Sequence, residues 1–325
     1  MKAERLTLSL CAAALLAACG GSQPPISAQR ASVALNAVRY RVQAAFNKAS
    51  GDLIYVATTT KLVVLSYPGG TIVGAIPWYD ANNYICSDPA NGTIFVPENS
   101  TIYEYAHGGT SPIATLPVPG AYVETKGCAV DPKTGNLAVV AYNASFNAVL
   151  LVYRSASGTP AVYLDKKVPL FDYPAYDGSG NLFASAFSKH GGTRIAEIPA
   201  GRSRFRLIKL SGTDAVPLKI QWDGKYLAFL TDDGQNAAIY QLHISGKTGT
   251  IVATFILNGA SPSGYFWIYD GSVIASYQKL HRYHNRAVGV WPYPAGGNAT
   301  AVYYGLTNGR KDYASDLTVS VAPNH

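Results

Sequence analysis

Charge is scarce in this chain of 325 residues. Asp, Glu, Lys and Arg together make up 14% of it, against about a quarter in an ordinary globular protein. Methionine occurs once and cysteine four times. So little charge excludes a coiled coil or a long helical bundle, both of which need Glu- and Lys-rich stretches at heptad or 3.6-residue spacing. Disorder is excluded from the other side, because 48% of the residues are apolar and can fill a core. Single-segment catalytic motifs are also missing. There is no Gly-x-Ser-x-Gly elbow, no His-Glu-x-x-His and no phosphate loop, which leaves only an enzyme whose residues come from separate segments. What abounds is Gly (31), Pro (19) and Tyr (23), the profile of a turn-rich, exported all-β protein.

The N-terminus reads as a targeting device. Lys2 and Arg5 precede an apolar stretch of 13 residues, Leu6 to Ala18, and then Cys19 and Gly20. That stretch is too short to span a bilayer, which takes roughly 20 residues, and it fits a signal peptide over residues 1–18. Leu16-Ala17-Ala18-Cys19 resembles the cleavage motif of bacterial lipoproteins. The resemblance implies that Cys19 becomes an acylated mature N-terminus, and that Gly20 after it directs the protein to the outer membrane of a Gram-negative cell. Each buried methylene adds about 0.8 kcal/mol, so several acyl chains make an effectively permanent anchor. Residues 19–39 contain Gly20-Gly-Ser-Gln-Pro-Pro25 and read as a tether. Cleavage lowers the net charge from +7 to +6, a modest excess that argues against nucleic acid as a partner.

Beyond residue 40 the chain repeats. An apolar strand, a tight Asp/Asn/Gly turn and a second apolar strand recur, as in Ser87-Asp-Pro-Ala-Asn-Gly-Thr-Ile94, Val130-Asp-Pro-Lys-Thr-Gly-Asn-Leu137, Tyr176-Asp-Gly-Ser-Gly-Asn-Leu182, Trp222-Asp-Gly-Lys-Tyr-Leu227 and Tyr269-Asp-Gly-Ser-Val273. With Leu53 as the first anchor, the spacings are 41, 43, 45, 45 and 46 residues. A third strand follows each time (Leu62–Leu65, Ile102–Tyr105, Val149–Tyr153, Ile195–Ile198, Ile239–Leu242, Val288–Trp291), then a Gly-containing turn and a short fourth strand. Four antiparallel strands per 40–50 residues predict a β-propeller blade, and six copies predict a six-bladed propeller over residues 40–325. An irregular β-sandwich would not return the same turn at nearly constant period. Two segments compete to close the ring, the C-terminal Asp316–Val321 and the N-terminal Arg41–Ala45.

These Asp-Pro-x-x-Gly-Asn-Leu turns resemble the NHL/YncE-like bacterial propellers, distant relatives of the gluconolactonases. In such a blade the repeat turns lie on one face, and the second-to-third and blade-to-blade connections lie on the other. The second set varies here, which makes its face the expected binding surface: Trp78, Tyr79, Asp80, Tyr122, Glu124, Asp172, Tyr173, His190, Asp232, Asp233, His281 and His284. Among these, Asp80, Glu124 and Asp172, together with Asp214 and Asp316, fall near the start of the innermost strands. They read either as solvated rim residues or as oxygen ligands for Ca²⁺ or Mg²⁺ at the channel mouth. The resemblance implies the second, although the acids fall at unequal register offsets. His281 and His284 lie three apart, as in part of a Zn²⁺ site or in a solvated basic loop. Arg202, Arg204 and Arg206 alternate along one strand side and are expected to protect a sheet edge.

Cys86 and Cys128 are the pair available for a disulfide once Cys11 leaves with the signal and Cys19 is acylated. They read either as a bridge between adjacent blades or as two buried thiols. The functional expectation is a lipid-anchored, monomeric binding or scaffold protein whose loop face recognises an envelope protein, a peptide or a glycan. The rival is a metal-dependent, lactonase- or esterase-like hydrolase using a metal-polarised water.

Overall fold

The structure is a computed structural model that describes residues 51–77, 84–164, 168, 170–187, 193–211, 215–232, 237–261, 265–278, 286–307 and 312–323. The signal, the tether and Arg41–Ala45 lie outside the described residues.

Twenty-five strands and one 3₁₀ turn make up the described chain. The first sheet contains β1 (Leu53–Thr58), β2 (Lys61–Ser66) and β3 (Ile72–Pro77). The second contains β4 (Cys86–Ser87), β5 (Ile94–Glu98), β6 (Thr101–Tyr105) and β7 (Ala114–Pro117). Next come β8 (Tyr122–Val130), β9 (Leu137–Asn143), β10 (Ala148–Tyr153) and β11 (Ala161–Tyr163), then β12 (Leu170–Tyr176), β13 (Leu182–Phe187), β14 (Thr193–Ile198) and β15 (Arg206–Ser211). They are followed by β16 (Ile220–Trp222), β17 (Leu227–Asp232), β18 (Ala237–Ser245) and β19 (Thr248–Asn258). The last set is β20 (Phe266–Tyr269), β21 (Ser272–Tyr277), β22 (Ala287–Pro292), the short β23 (Gly297–Asn298) and β24 (Ala301–Tyr303). The C-terminal strand β25 (Ala314–Ser320) returns to the first sheet and pairs antiparallel with β1, from Leu53 opposite Ser320 to Ala57 opposite Asp316. Of the two segments that could complete that sheet, the C-terminal one occupies the slot. β15 and β19 pair in parallel through Lys209–Ser211 and Thr248–Thr250, which joins two four-stranded sets into one larger sheet.

Local chemistry explains the repeat. In four copies the turn Asp accepts a hydrogen bond from the backbone N–H two residues on: Asp88 from Ala90 (2.8 Å), Asp131 from Lys133 (3.0 Å), Asp177 from Ser179 (2.8 Å) and Asp223 from Lys225 (2.8 Å). This Asx turn fixes the reversal before any tertiary contact exists. The last copy turns differently. Asp270 and Gly271 themselves take positive φ (46° and 64°) between the paired Tyr269 and Ser272, the two-residue hairpin favoured by Asp-Gly. Asp52 serves the closure instead, accepting from Ala322 N–H (2.8 Å) and the Tyr269 hydroxyl (2.7 Å).

Every residue of β1 is buried, because each sheet packs on both faces. Leu53 and Tyr55 point to Ile94 and Val96 of the next sheet, while Ile54 and Val56 point to Ile274 and Val288 of the last. Alternation in a strand sends successive side chains to opposite faces, so a strand wedged between two sheets is apolar throughout.

The first strand of each set, with β25 in the first, lines a common centre. The Cys86–Cys128 disulfide ties β4 to β8, with Cα atoms 5.6 Å apart. A Cβ on Gly127 of β8 would come within 2.6 Å of the Tyr173 ring of β12, so glycine permits that close approach. The Gln221 side chain of β16 donates to Ile268 O of β20 (3.0 Å) and accepts from Ile268 N–H (2.7 Å). Ser87 of β4 bonds to Thr318 Oγ (2.9 Å) and Val319 O (2.6 Å) of β25. The sheets therefore stand around a ring in the manner of a β-propeller.

Candidate functional site

The innermost strands start at one end of the ring, and their first residues build a polar layer across the channel. Lys219, just before β16, reaches Asp316 Oδ1 of β25 at 2.5 Å and Leu317 O at 2.9 Å. Its ammonium lies 5.3 Å from the centre of the Trp267 ring of β20, within cation–π range. Asp316 also accepts from Ile85 N–H (2.9 Å) and Leu317 N–H (2.8 Å). Both partners are almost wholly removed from solvent. Burial lowers the Lys219 pKa and raises that of Asp316, each change opposed by the charge of the other. This pair gathers four sets of strands at one point.

Beside it stand three tyrosines, each from a different sheet. Tyr84, Tyr173 and Tyr265 have ring centres 5.2, 6.0 and 5.7 Å apart, the separations of edge-on and tilted aromatic packing. Burial raises the Tyr173 hydroxyl pKa well above its ordinary value. Lys126 lies 5.3 Å from the Tyr84 ring centre and pairs with Glu124 at 2.9 Å. Burial alone would lower the Lys126 pKa, but Glu124 and Tyr84 outweigh it and the net shift is upward. Asp172 faces the Tyr142 hydroxyl at 3.3 Å, and burial raises the pKa of its carboxyl.

Each acid named from the sequence can now be placed. Glu124, Asp172 and Asp316 lie on β8, β12 and β25, and each already has a protein partner. Asp316 is not a rim residue, since it is 2% exposed: the inner strands of neighbouring sheets close over it. Among the described residues, no group of three or more His, Cys, Asp or Glu side chains is arranged to hold a metal ion. Trp78, Tyr79, Asp80, His190, Asp214, Asp233, His281 and His284 lie outside the described residues. Asp232 ends β17, opposite Ala237. Tyr122 packs at the edge of the core between the β4–β7 sheet and β8, β9 and β10, and Tyr173 is buried in the channel rather than displayed on the loop end. Arg206 holds Glu197 through a forked contact, with Nε at 2.8 Å from Oε2, and the strand edge beyond it is covered by β19 from Lys209 onward.

The loop-bearing end carries exposed apolar side chains. Phe146, in the β9–β10 loop, is 67% exposed and held at positive φ (56°), Val123 is 55% exposed, and Leu170, Val216 and Tyr313 join them. At the repeat-turn end Ile72 and Ile113 are comparably exposed. Lys219, Tyr84 and Tyr265 were not legible as site residues, because nothing near them in sequence marks a site.

No protein-family model matches the chain, and no curated protein matches its sequence. Solved structures do resemble it. A nidogen/laminin complex contains a chain that aligns over 84% of this one and 100% of its own length, with 13% identity and a TM-score of 0.63. A protein of unknown function from Bacteroides caccae aligns over 83% of this chain and 99% of its own, with 13% identity and a TM-score of 0.54. At such identities the likeness concerns the fold, and it agrees with the ring of antiparallel sheets: this chain is an all-β propeller.

Proposed function

We propose that this protein is a lipid-anchored, six-bladed propeller that binds an envelope protein, peptide or glycan through its loop-bearing end. The observation that carries this reading is the gathering of five exposed apolar side chains, Phe146, Val123, Leu170, Val216 and Tyr313, at that end, against Ile72 and Ile113 at the other. Water-exposed apolar groups gathered on one side of a monomer mark recognition surfaces. The hydrolase reading has less support, because the described channel acids already face Lys219, Lys126 or Tyr142.

A photo-crosslinking residue at position 146, in the full chain expressed in Gram-negative cells, tests the surface. The expected result is one defined adduct that is absent when the same residue sits at position 113. Equal adducts from both positions would remove the case for this face. Cys19→Ser is expected to release the protein from the membrane fraction, and retention there would exclude the anchor. Calorimetric titration with Ca²⁺ and Mg²⁺ separates the rival, since micromolar binding lost in Glu124→Gln with Asp172→Asn would restore the metal site and justify a lactone and ester screen.

A further inference from the structure

Beyond the layer of Lys219, Asp316 and the three tyrosines, the channel holds a cavity of about 190 Å³. It extends toward the opposite end of the ring, where Pro89, Pro132, Tyr176 and Trp222 stand at or just past the ends of β4, β8, β12 and β16. Trp267 and Tyr173 complete its aromatic wall. For scale, an apolar protein cavity of about 150 Å³ accepts benzene.

Three polar side chains in the wall are already engaged, while the buried Tyr173 hydroxyl has no hydrogen-bond partner among the described residues. Lys219 donates to Asp316 and to Leu317 O, and its remaining side lies over Trp267. Gln221 uses both ends of its amide on Ile268. Ser87 is bonded to Thr318 and Val319. A charged guest would therefore give up its hydration without gaining a countercharge, at a cost of several kcal/mol. A flat, uncharged ring loses little and gains contact with indole, phenol and pyrrolidine faces.

From the cavity's size, its aromatic and proline walls and its internally neutralised charge, we infer that the channel is a second binding site, which takes a small, uncharged aromatic molecule of one substituted ring. The site lies at the repeat-turn end of the ring and stands independently of the loop-end surface.

The test is calorimetric titration of p-cresol into the full chain purified in detergent, with benzoate, benzylamine and cyclohexanol as comparators. Expected is saturable 1:1 binding of p-cresol with a negative heat-capacity change, and at least tenfold weaker binding of both charged rings and of the non-planar cyclohexanol. Trp222→Ala should weaken p-cresol by fivefold or more. Ala129→Phe, which adds a ring at the cavity wall, should abolish binding while thermal melting and near-ultraviolet circular dichroism show the fold retained. If that variant does not fold, Trp222→Ala decides. Absence of saturable p-cresol binding at millimolar concentration would overturn the proposal. So would equal binding of benzoate or benzylamine, or an affinity unchanged in Trp222→Ala.

Discussion

Lys219→Met should be the most damaging single change among the channel residues. The substitution keeps most of the side-chain volume but removes the donor 2.5 Å from Asp316 and 2.9 Å from Leu317 O. Asp316 would keep two backbone donors, Ile85 N–H and Leu317 N–H, but its charge would stand without a countercharge in a site that solvent barely reaches. Breaking a buried pair from one side costs about 3–5 kcal/mol. In a domain this large, each kcal/mol moves the melting temperature by about 2 °C, so the expected drop is about 6–10 °C. Asp316→Asn should also destabilise, by stranding the ammonium. The double variant Lys219→Met/Asp316→Asn buries no charge, and the Asn oxygen still accepts one backbone N–H. It should therefore be more stable than the sum of the single losses predicts, with an interaction energy above about 1 kcal/mol. Differential scanning calorimetry of the four proteins closes the cycle. A loss below about 1 kcal/mol for Lys219→Met, or strict additivity in the cycle, would refute the claim that this pair is a buried, mutually dependent unit.

Three further outcomes follow from the same geometry. Replacing Cys86 and Cys128 by Ser opens a cross-link between residues 42 apart; the chain-entropy relation assigns such a loop about 4 kcal/mol, so melting should fall by several degrees, and an unchanged midpoint with and without reductant would remove the bridge from the stability account. His107, whose Nδ1 lies 2.7 Å from Ser320 Oγ of the closing strand, has its pKa lowered by burial, with Gly51 and Asp52 opposing. The unfolded chain then takes up the proton first, so stability is full at neutral pH and declines as pH falls below about 6.5; denaturant titrations at pH 7.5 and 5.5 should show this loss shrinking in His107→Gln, and equal losses in both proteins would discount the residue. Deleting residues 314–325 removes β25 and bares the β1 edge, an invitation to strand addition; size-exclusion chromatography should show aggregation, and a monomer melting like the full chain would deny β25 its closing role.

The repeat was legible because its chemistry is local. An Asp that caps its own turn two residues on, followed by a residue that tolerates positive φ such as Gly92 or Gly135, leaves the same trace in each copy whatever the rest of the chain does. The channel was not legible for the converse reason. Lys219 and Asp316 are 97 residues apart, and neither flanking segment carries a pattern that names the other. Tyr84, Tyr173 and Tyr265 meet because three sheets converge, and 23 tyrosines in the sequence offered no means of choosing those three. Glu124, Asp172 and Asp316 stand near the starts of β8, β12 and β25, as their distance from the repeat turns suggests, but their partners could not be read. Lys126 beside Glu124 is a same-side pair on β8, whereas Tyr142 opposite Asp172 depends on how β9 packs against β12.

The two ends of the ring also differ in a way that turn chemistry conceals. Uniform repeat turns suggest a purely structural face, since residues selected for an Asx turn and a left-handed glycine have little freedom left for recognition. Yet Pro89 and Pro132, which follow the capping Asp88 and Asp131, also line the channel cavity. In the turn, a proline after Asp fixes φ and gives up a backbone N–H that would otherwise need a partner. At the cavity the same ring presents a rigid apolar surface at no further conformational cost. Trp222 stands immediately before Asp223, itself a turn cap, and likewise belongs to both structures. Because Asx capping requires only the Asp and a compatible backbone, its flanking residues remain free to shape the cavity, and a face built from repeated turns can carry a site that no single turn reveals.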